Sequence, residues 1–349
     1  MKRKAILTVI VVMLSLYGCD MPEVIVTNTV HVDGSITRRV EIRNTEDEFS
    51  KDFYLVPIDS SWSIVHSTEV SEDGDTTWVM MAEKFFANAE LINSDYAAAD
   101  GMNSYMERTA SFRKRFRWFN THFIFSERVE KFIDDGHPMA SFLNSEEMDF
   151  IRLPGSVAYE LLSGQDSLRY RAMTERTDSV MNVWMEQGFI RSWMASSTRL
   201  LTSAGADSAL TNSFSSREGE LLEKFSFDFD TDSQIDSLMG VLFQKETEAG
   251  YKPLLDSVWL DLEKKLERWL EAQAYTVQTK MPGKLTGGNG FFTQTGEVAW
   301  PVKSELYLFD DYEMRAESQV ANRWAWVVSL IFIVVVLSGF IYRARVRRL

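Results

Sequence analysis

Nineteen consecutive uncharged residues, Trp324 to Tyr342, constrain this chain more than any other feature of it. As a helix they cover roughly 28 Å at the usual rise per residue, about one hydrocarbon core. Trp324, Trp326 and Tyr342 stand at the two ends, where amphipathic rings collect at membrane–water boundaries. Arg343, Arg345, Arg347 and Arg348 follow, which puts the C-terminus on the cytoplasmic side. The span is set at residues 323–342 and the basic tail at 343–349, too short for a domain. Any activity must reside outside the cytoplasm, in what precedes the span, or in the transmembrane helix itself.

The other end carries a second membrane signal. Lys2-Arg3-Lys4 and the apolar run Ala5 to Leu16 have the form of a secretory signal, residues 1–18. Leu16-Tyr17-Gly18-Cys19 resembles the lipobox of bacterial lipoproteins, which implies a processed, palmitate-bearing Cys19. Tyr17 is bulkier than the usual occupant of its position. Cys19 is the single cysteine, so an exported chain has no internal disulfide to make. Asp20 has the character of an inner-membrane retention signal. The expected address is the bacterial cytoplasmic membrane, with the ectodomain on its outer side.

Setting aside Lys2, Arg3, Lys4 and the four tail arginines takes the net charge from −14 to −21. So acidic an ectodomain argues against nucleic acid and against broad docking on anionic headgroups. With 45% hydrophobic and 13% aromatic residues it is folded and not a disordered stalk. Four histidines and one cysteine leave little for a His- or Cys-rich metal site, and no cofactor is expected.

Hydrophobic periodicity divides the chain. Val24, Val26, Val30 and Val32 alternate up to Asp33-Gly34, and Ile36, Val40 and Ile42 continue beyond it, a hairpin with a tight turn. Ser61 to Val70 and Thr76 to Met81 repeat the device around Asp73-Gly74. A third β-rich region holds Ala274 to Met281, Val298-Ala299-Trp300, Glu305 to Phe309 and Tyr312 to Ser318, with Gly287 to Gly290 as a turn. The intervening pattern reads as helical. Phe112, Phe116, Phe119 and Phe123 fall at helical spacing, as do positions within 157–162, 173–193, 235–243 and 258–270. Phe225, Phe227 and Phe229 alternate like a strand. The simplest assembly is an α+β fold: a discontinuous antiparallel β domain (19–81 and 273–320), an inserted helical domain (82–272) and one C-terminal transmembrane helix. With an anchor at each end, both ends of the β domain are expected to face one bilayer.

Met281-Pro282-Gly283-Lys284, Asn289-Gly290 and Val298-Ala299-Trp300, with the opening Thr29 to Ser35, resemble LppM-like domains. These are β-rich ectodomains of bacterial lipoproteins with a C-terminal transmembrane helix. The resemblance covers the β segments, about a third of the chain, and the helical insertion departs from the compact domain. It implies an envelope lipoprotein in contact with lipid or glycolipid, with no catalytic residues to inherit.

Three constellations stand out. Arg113, Lys114, Arg115 and Arg117, with Trp118, form a basic aromatic run suited to anionic headgroups or a phosphate-bearing ligand. The plainer account, and the favoured one, is a helix with its Phe face inward and its cations paired with the chain's surplus carboxylates. Asp228, Asp230, Asp232 and Asp236 resemble a calcium loop, but Ser233 and Met239 stand where glycine and glutamate belong, so a strand end and helix cap is preferred. Asp134-Asp135-Gly136-His137-Pro138 brings carboxylates near an imidazole, as turn chemistry also does. His31, His66 and His122 are scattered, and Glu146-Glu147 after Ser145 marks a helix start. No nucleophile elbow, zinc-protease helix or phosphate loop occurs. The sequence therefore leads to expect a binding or scaffold component and no enzyme. The membrane would be engaged through Cys19 and residues 324–342, and a protein partner through the helical part. A lipid- or glycolipid-binding module is the alternative, and a hydrolase a further one.

Overall fold

The structure, a computed structural model, describes residues 22–49, 55–71, 73–99, 106–153, 167–224 and 250–346. Two sheets face each other, in the α+β class expected. One has seven strands in the order β3-β4-β2-β1-β7-β10-β9, the other four in the order β5-β6-β11-β8. β1 (Glu23–Val30) and β2 (Ile36–Asn44) form the first hairpin, closed at Gly34 with φ 99°. β3 (Ser63–Val70) and β4 (Thr76–Phe86) form the second, closed at Gly74 with φ 90°. Only glycine takes such angles without strain.

β7 (Tyr275–Lys280), β8 (Lys284–Gly288), β9 (Phe291–Phe292), β10 (Val298–Val302) and β11 (Tyr312–Ala321) complete the sheets from far downstream. β7 pairs with β1, so the two ends of the β region meet as expected, but in parallel, Val26 opposite Val277. The other pairings among the described strands are antiparallel. Glu305 to Phe309, read as a strand, instead holds a 3-10 turn, Ser304–Tyr307. Its carbonyls serve the chain after β6: Phe132 N donates to Tyr307 O and Ile133 N to Leu308 O, both at 2.8 Å. Gly287 and Gly288, read as a turn, end β8; a Cβ on Gly288 would press on the Arg315 carbonyl, so glycine there lets two strands approach closely.

The larger correction concerns Phe112 to Phe123. These residues are not a helix; they form β5 (Arg108–Phe116), a turn at Trp118-Phe119, and β6 (Asn120–Val129). The reason is arithmetic. Phe112 and Phe116 are four apart, which puts two residues on one face of a strand as well as of a helix. The odd step that completed the helical pattern falls on the turn. So the stretch 82–272 contributes a hairpin to the four-stranded sheet as well as helices.

Strand phase fills the space between the sheets: Val26, Val40, Ile42, Phe123, Phe125 and Val277 are all buried there. β5 is a sheet edge, closed by α1 (Ala89–Ala97). There Asn93 takes the place of a neighbouring strand, its Nδ2 donating to Ala110 O at 3.0 Å and its Oδ1 accepting from Ala110 N at 2.5 Å. The helices α2 (Ser145–Ile151), α3 (Ser167–Ser203), α4 (Ser208–Ser215), α5 (Glu218–Lys224) and α6 (Lys252–Glu271) form a layer joined to one end of the sandwich. Asn144 and Glu147 make a capping box at the start of α2, as the acidic pair foretold. Phe309 enters a slot between Gly136 and Gly188 of α3, where any Cβ would overlap its ring, and Trp184 meets it edge-on at 5.0 Å.

The opposite end of the sandwich runs into α7 (Arg323–Val346). Its residues Arg323–Arg345, with mean hydropathy 2.5, are long and apolar enough to cross a membrane. This fixes a direction for every strand. β11 runs toward α7; β7 does too, because it ends at the turn that packs Gly283 on Gln319. β1 lies parallel to β7, so Glu23 is at the end remote from α7. The expectation that both ends of the β region face one bilayer is not met: β1 leads back toward α7 over roughly 23 Å.

Candidate membrane-contact site

The turn between β5 and β6 docks on the start of α7. Asn322 is the pin. Its Nδ2 donates to Arg117 O (2.7 Å) and Trp118 O (3.2 Å), its backbone N donates to Phe119 O (2.9 Å), and its Oδ1 accepts from Thr121 Oγ1 (2.9 Å). Aromatic contacts extend the joint. Phe116 stacks on Trp324 at 6.3 Å, Trp118 meets Trp324 edge-on at 5.3 Å, and Phe119 packs against Trp326 at 4.4 Å. Trp118 Nε1 donates to Ser329 Oγ at 2.8 Å. Ser329 lies six residues past Arg323, roughly 9 Å down the helix. The turn therefore reaches the depth at which α7 is already apolar. Trp118, Trp324 and Trp326 stay 45%, 52% and 56% exposed, in the positions of an interfacial aromatic belt.

Strand geometry then sorts the basic run. Lys114 shares the inner face with Phe112 and Phe116; its Nζ donates to Val32 O at 2.9 Å and lies over the Phe123 ring. It belongs to the β1–β2 turn and not to a surface patch. Arg113 and Arg115 point to the outer face, and Arg117 lies at the turn; all three are exposed. Among the described residues none of Arg113, Lys114, Arg115 and Arg117 makes an ion pair, whereas Arg39, Arg43, Arg128 and Arg315 all do. The favoured account from sequence, cations neutralised by the chain's own carboxylates, does not describe this segment.

A second cluster lies deep between the sheets, and the sequence reading missed it. Arg38, Arg108 and Glu127 are 1%, 4% and 2% exposed. Arg38 Nη2 donates to Glu127 Oε2 (2.5 Å), its Nε to Asn28 Oδ1 (2.8 Å) and its Nη1 to Tyr96 Oη (2.9 Å). Arg108 Nη1 donates to the same phenol at 3.3 Å and stands 4.0 Å from Glu127 Oε1. Its guanidinium lies over the rings of Tyr96 and Tyr275 at 5.1 and 5.2 Å. Burial works against both guanidinium charges, but Glu127 and the surrounding phenols raise Arg38, and Tyr275, Tyr96 and Glu127 raise Arg108, above the ordinary value. Burial likewise pushes the Tyr275 and Tyr307 hydroxyls up. Two cations face one anion, so the cluster carries a net positive charge. It ties β1 and β2 of one sheet to β5, β6 and α1 of the other. The signal was available: Arg38 falls in phase with Ile36 and Val40, and Glu127 with Phe125 and Val129.

The other candidates come out as follows. Cys19 and the run Asp228, Asp230, Asp232 and Asp236 lie outside the described residues, as do 157–162, 225–229 and 235–243. Asp135 holds a left-handed turn, φ 63°, and pairs with Arg199 at 2.6 Å. His137 is lowered by burial and by Arg191 beside it. No group of three or more His, Cys, Asp or Glu among the described residues is placed to hold a metal ion. A cleft of about 690 Å³ opens where α2 and α3 meet the sandwich, lined by Glu146, Asp149, Phe150, Tyr170 and Trp300 among others.

No family model matches this sequence, and no curated protein matches it. Among solved structures, the NMR structure of the folded domain of LppM from Mycobacterium tuberculosis is similar, with 9% identity over 87% of this chain and 92% of that one and a TM-score of 0.28. Likeness of this degree is a weak one, of fold only, and nothing about function follows from it.

Proposed function

We propose that this chain is a membrane-anchored lipoprotein of a bacterial envelope that works by binding and positioning, not by catalysis. One observation carries the reading: the sandwich is pinned to its apolar helix at one end and bears its helical layer at the other. α7 crosses the cytoplasmic membrane with Arg343 and Arg345 inside. The β5–β6 turn stiffens the junction, and α3 and α6 are held away from the bilayer, where a protein partner meets them. Leu168, 81% exposed, and Leu260, 52% exposed, supply apolar contacts on that layer. Cys19 is the lipid-bearing residue of this reading.

In-cell crosslinking of the full-length protein, with mass spectrometry of the detergent-extracted complex, tests the proposal. A reproducible protein partner crosslinked within residues 167–271 is the expected result. Crosslinks confined to the chain itself, with only lipid co-purifying, would count against it.

A further inference from the structure

The cations left without carboxylate partners form a pattern across the sheet. Pairing in register places Arg115 opposite His122, His122 opposite Gln319, and Gln319 opposite Lys284. Residues directly opposite one another share a face, so these four make one row across all four strands. Arg113, opposite Ile124, stands in the next row out on the same face. Arg117 closes the hairpin below. Sequence grouped Arg113 to Arg117 and had no reason to include Lys284, which is 167 positions further along than Arg117.

We propose that this outer face binds the phosphate headgroups of anionic phospholipids in the bilayer that α7 crosses, through Arg113, Arg115, Arg117 and Lys284. Charge is the first argument. The chain carries −14 overall, yet these four exposed cations make no ion pair among the described residues. Glu317, the carboxylate on the neighbouring row, is already engaged by Arg315 at 2.6 Å. Position is the second. Gln319 precedes Asn322 by three residues, so the row stands roughly 10 Å along β11 from the start of α7. A headgroup layer is roughly 5–8 Å deep, and arginine and lysine side chains reach down from above it by extending their stems. The exposed rings of Trp118, Trp324 and Trp326 mark the lower boundary of the same layer. Lipid phosphate is thus the anion that this geometry brings to the row. The site does not depend on the protein partner proposed above.

Full-length protein in phosphatidylcholine bilayers, probed with spin-labelled phosphatidylglycerol and spin-labelled phosphatidylcholine, tests the site. The wild-type chain is expected to hold the anionic lipid preferentially in its first lipid shell. Arg113→Gln, Arg115→Gln, Arg117→Gln and Lys284→Gln together should lower that preference by about fivefold, the effect of roughly one cation on one lipid. The tail arginines act on the opposite leaflet in both proteins, so the difference reports the outer face. A companion with Lys in place of the three arginines should retain the preference. Arg171→Gln with Lys264→Gln, on the helical layer, should leave it unchanged. Equal preference in wild type and the Gln variant, or an equal loss in the helical-layer control, would overturn the proposal.

Discussion

Removing the carboxylate of Glu127 should cost this protein more stability than removing the arginine it pairs with. Glu127→Gln keeps the shape of the side chain but leaves Arg38 and Arg108, 1% and 4% exposed, as two buried cations with no anion. Breaking a buried pair from one side costs about 3–5 kcal/mol. For a body of this size that corresponds to roughly 6–15 °C in Tm. Arg38→Met removes one cation instead. Glu127 then faces Arg108, 4.0 Å away, and the cluster becomes neutral. Asn28 Oδ1, Tyr96 Oη and Glu127 Oε2 each lose a bond from Arg38, but no buried charge is left unopposed, which sets the cost at about 1–3 kcal/mol. Urea unfolding of the detergent-solubilised full chain, followed by tryptophan fluorescence, measures both. The ordering is the test. If Glu127→Gln stays within about 1 kcal/mol of wild type, or Arg38→Met proves the more damaging, the cluster is not the net-positive interlock described.

Other expectations follow from the same geometry. Gly188→Ala drives a methyl into the Phe309 ring and should destabilise the helical layer by about 1–3 kcal/mol, seen as a lowered Tm with intact β-sheet circular dichroism. Asn322→Ala removes the side-chain bonds to Arg117 O and Trp118 O; faster hydrogen exchange at residues 117–121, with little change in Tm, is the outcome to look for. His137 is held below its ordinary value by burial and Arg191, so the folded state favours the neutral ring. Stability should therefore fall as pH drops from above 6.5 through the lowered native value, and His137→Gln should flatten that part of a Tm-against-pH curve.

The sequence disclosed the two opening hairpins because alternation and Asp-Gly turns are local signals, and it disclosed α6 and α7 because their apolar spacing is sustained. It concealed the β5–β6 hairpin for two reasons. A spacing of four fits both periodicities, and the turn at Trp118-Phe119 has no residue at positive φ, hence no Asn-Gly or Asp-Gly mark. The parallel β1–β7 pairing joins residues 251 apart, Ile25 and Thr276, and no short-range pattern encodes it. The Phe309 slot depends on glycines from two other segments. Arg38 and Glu127 were readable from strand phase, but charge suggested surface. The basic run stood out in the sequence, yet only the fold separates Lys114 from the arginines and brings Lys284 to them.

The central claim is that the sandwich is fixed on α7 with its β5–β6 end at headgroup depth and its helical layer remote. Nitroxide depth measurement by power saturation, on full-length protein in bilayers with Cys19 replaced by Ser, tests it most directly. Labels at Arg115→Cys, Thr109→Cys and Glu23→Cys should report headgroup depth for the first and bulk water for the other two. Equal immersion of positions 109 and 115, or a position 23 at the membrane surface, would contradict the account.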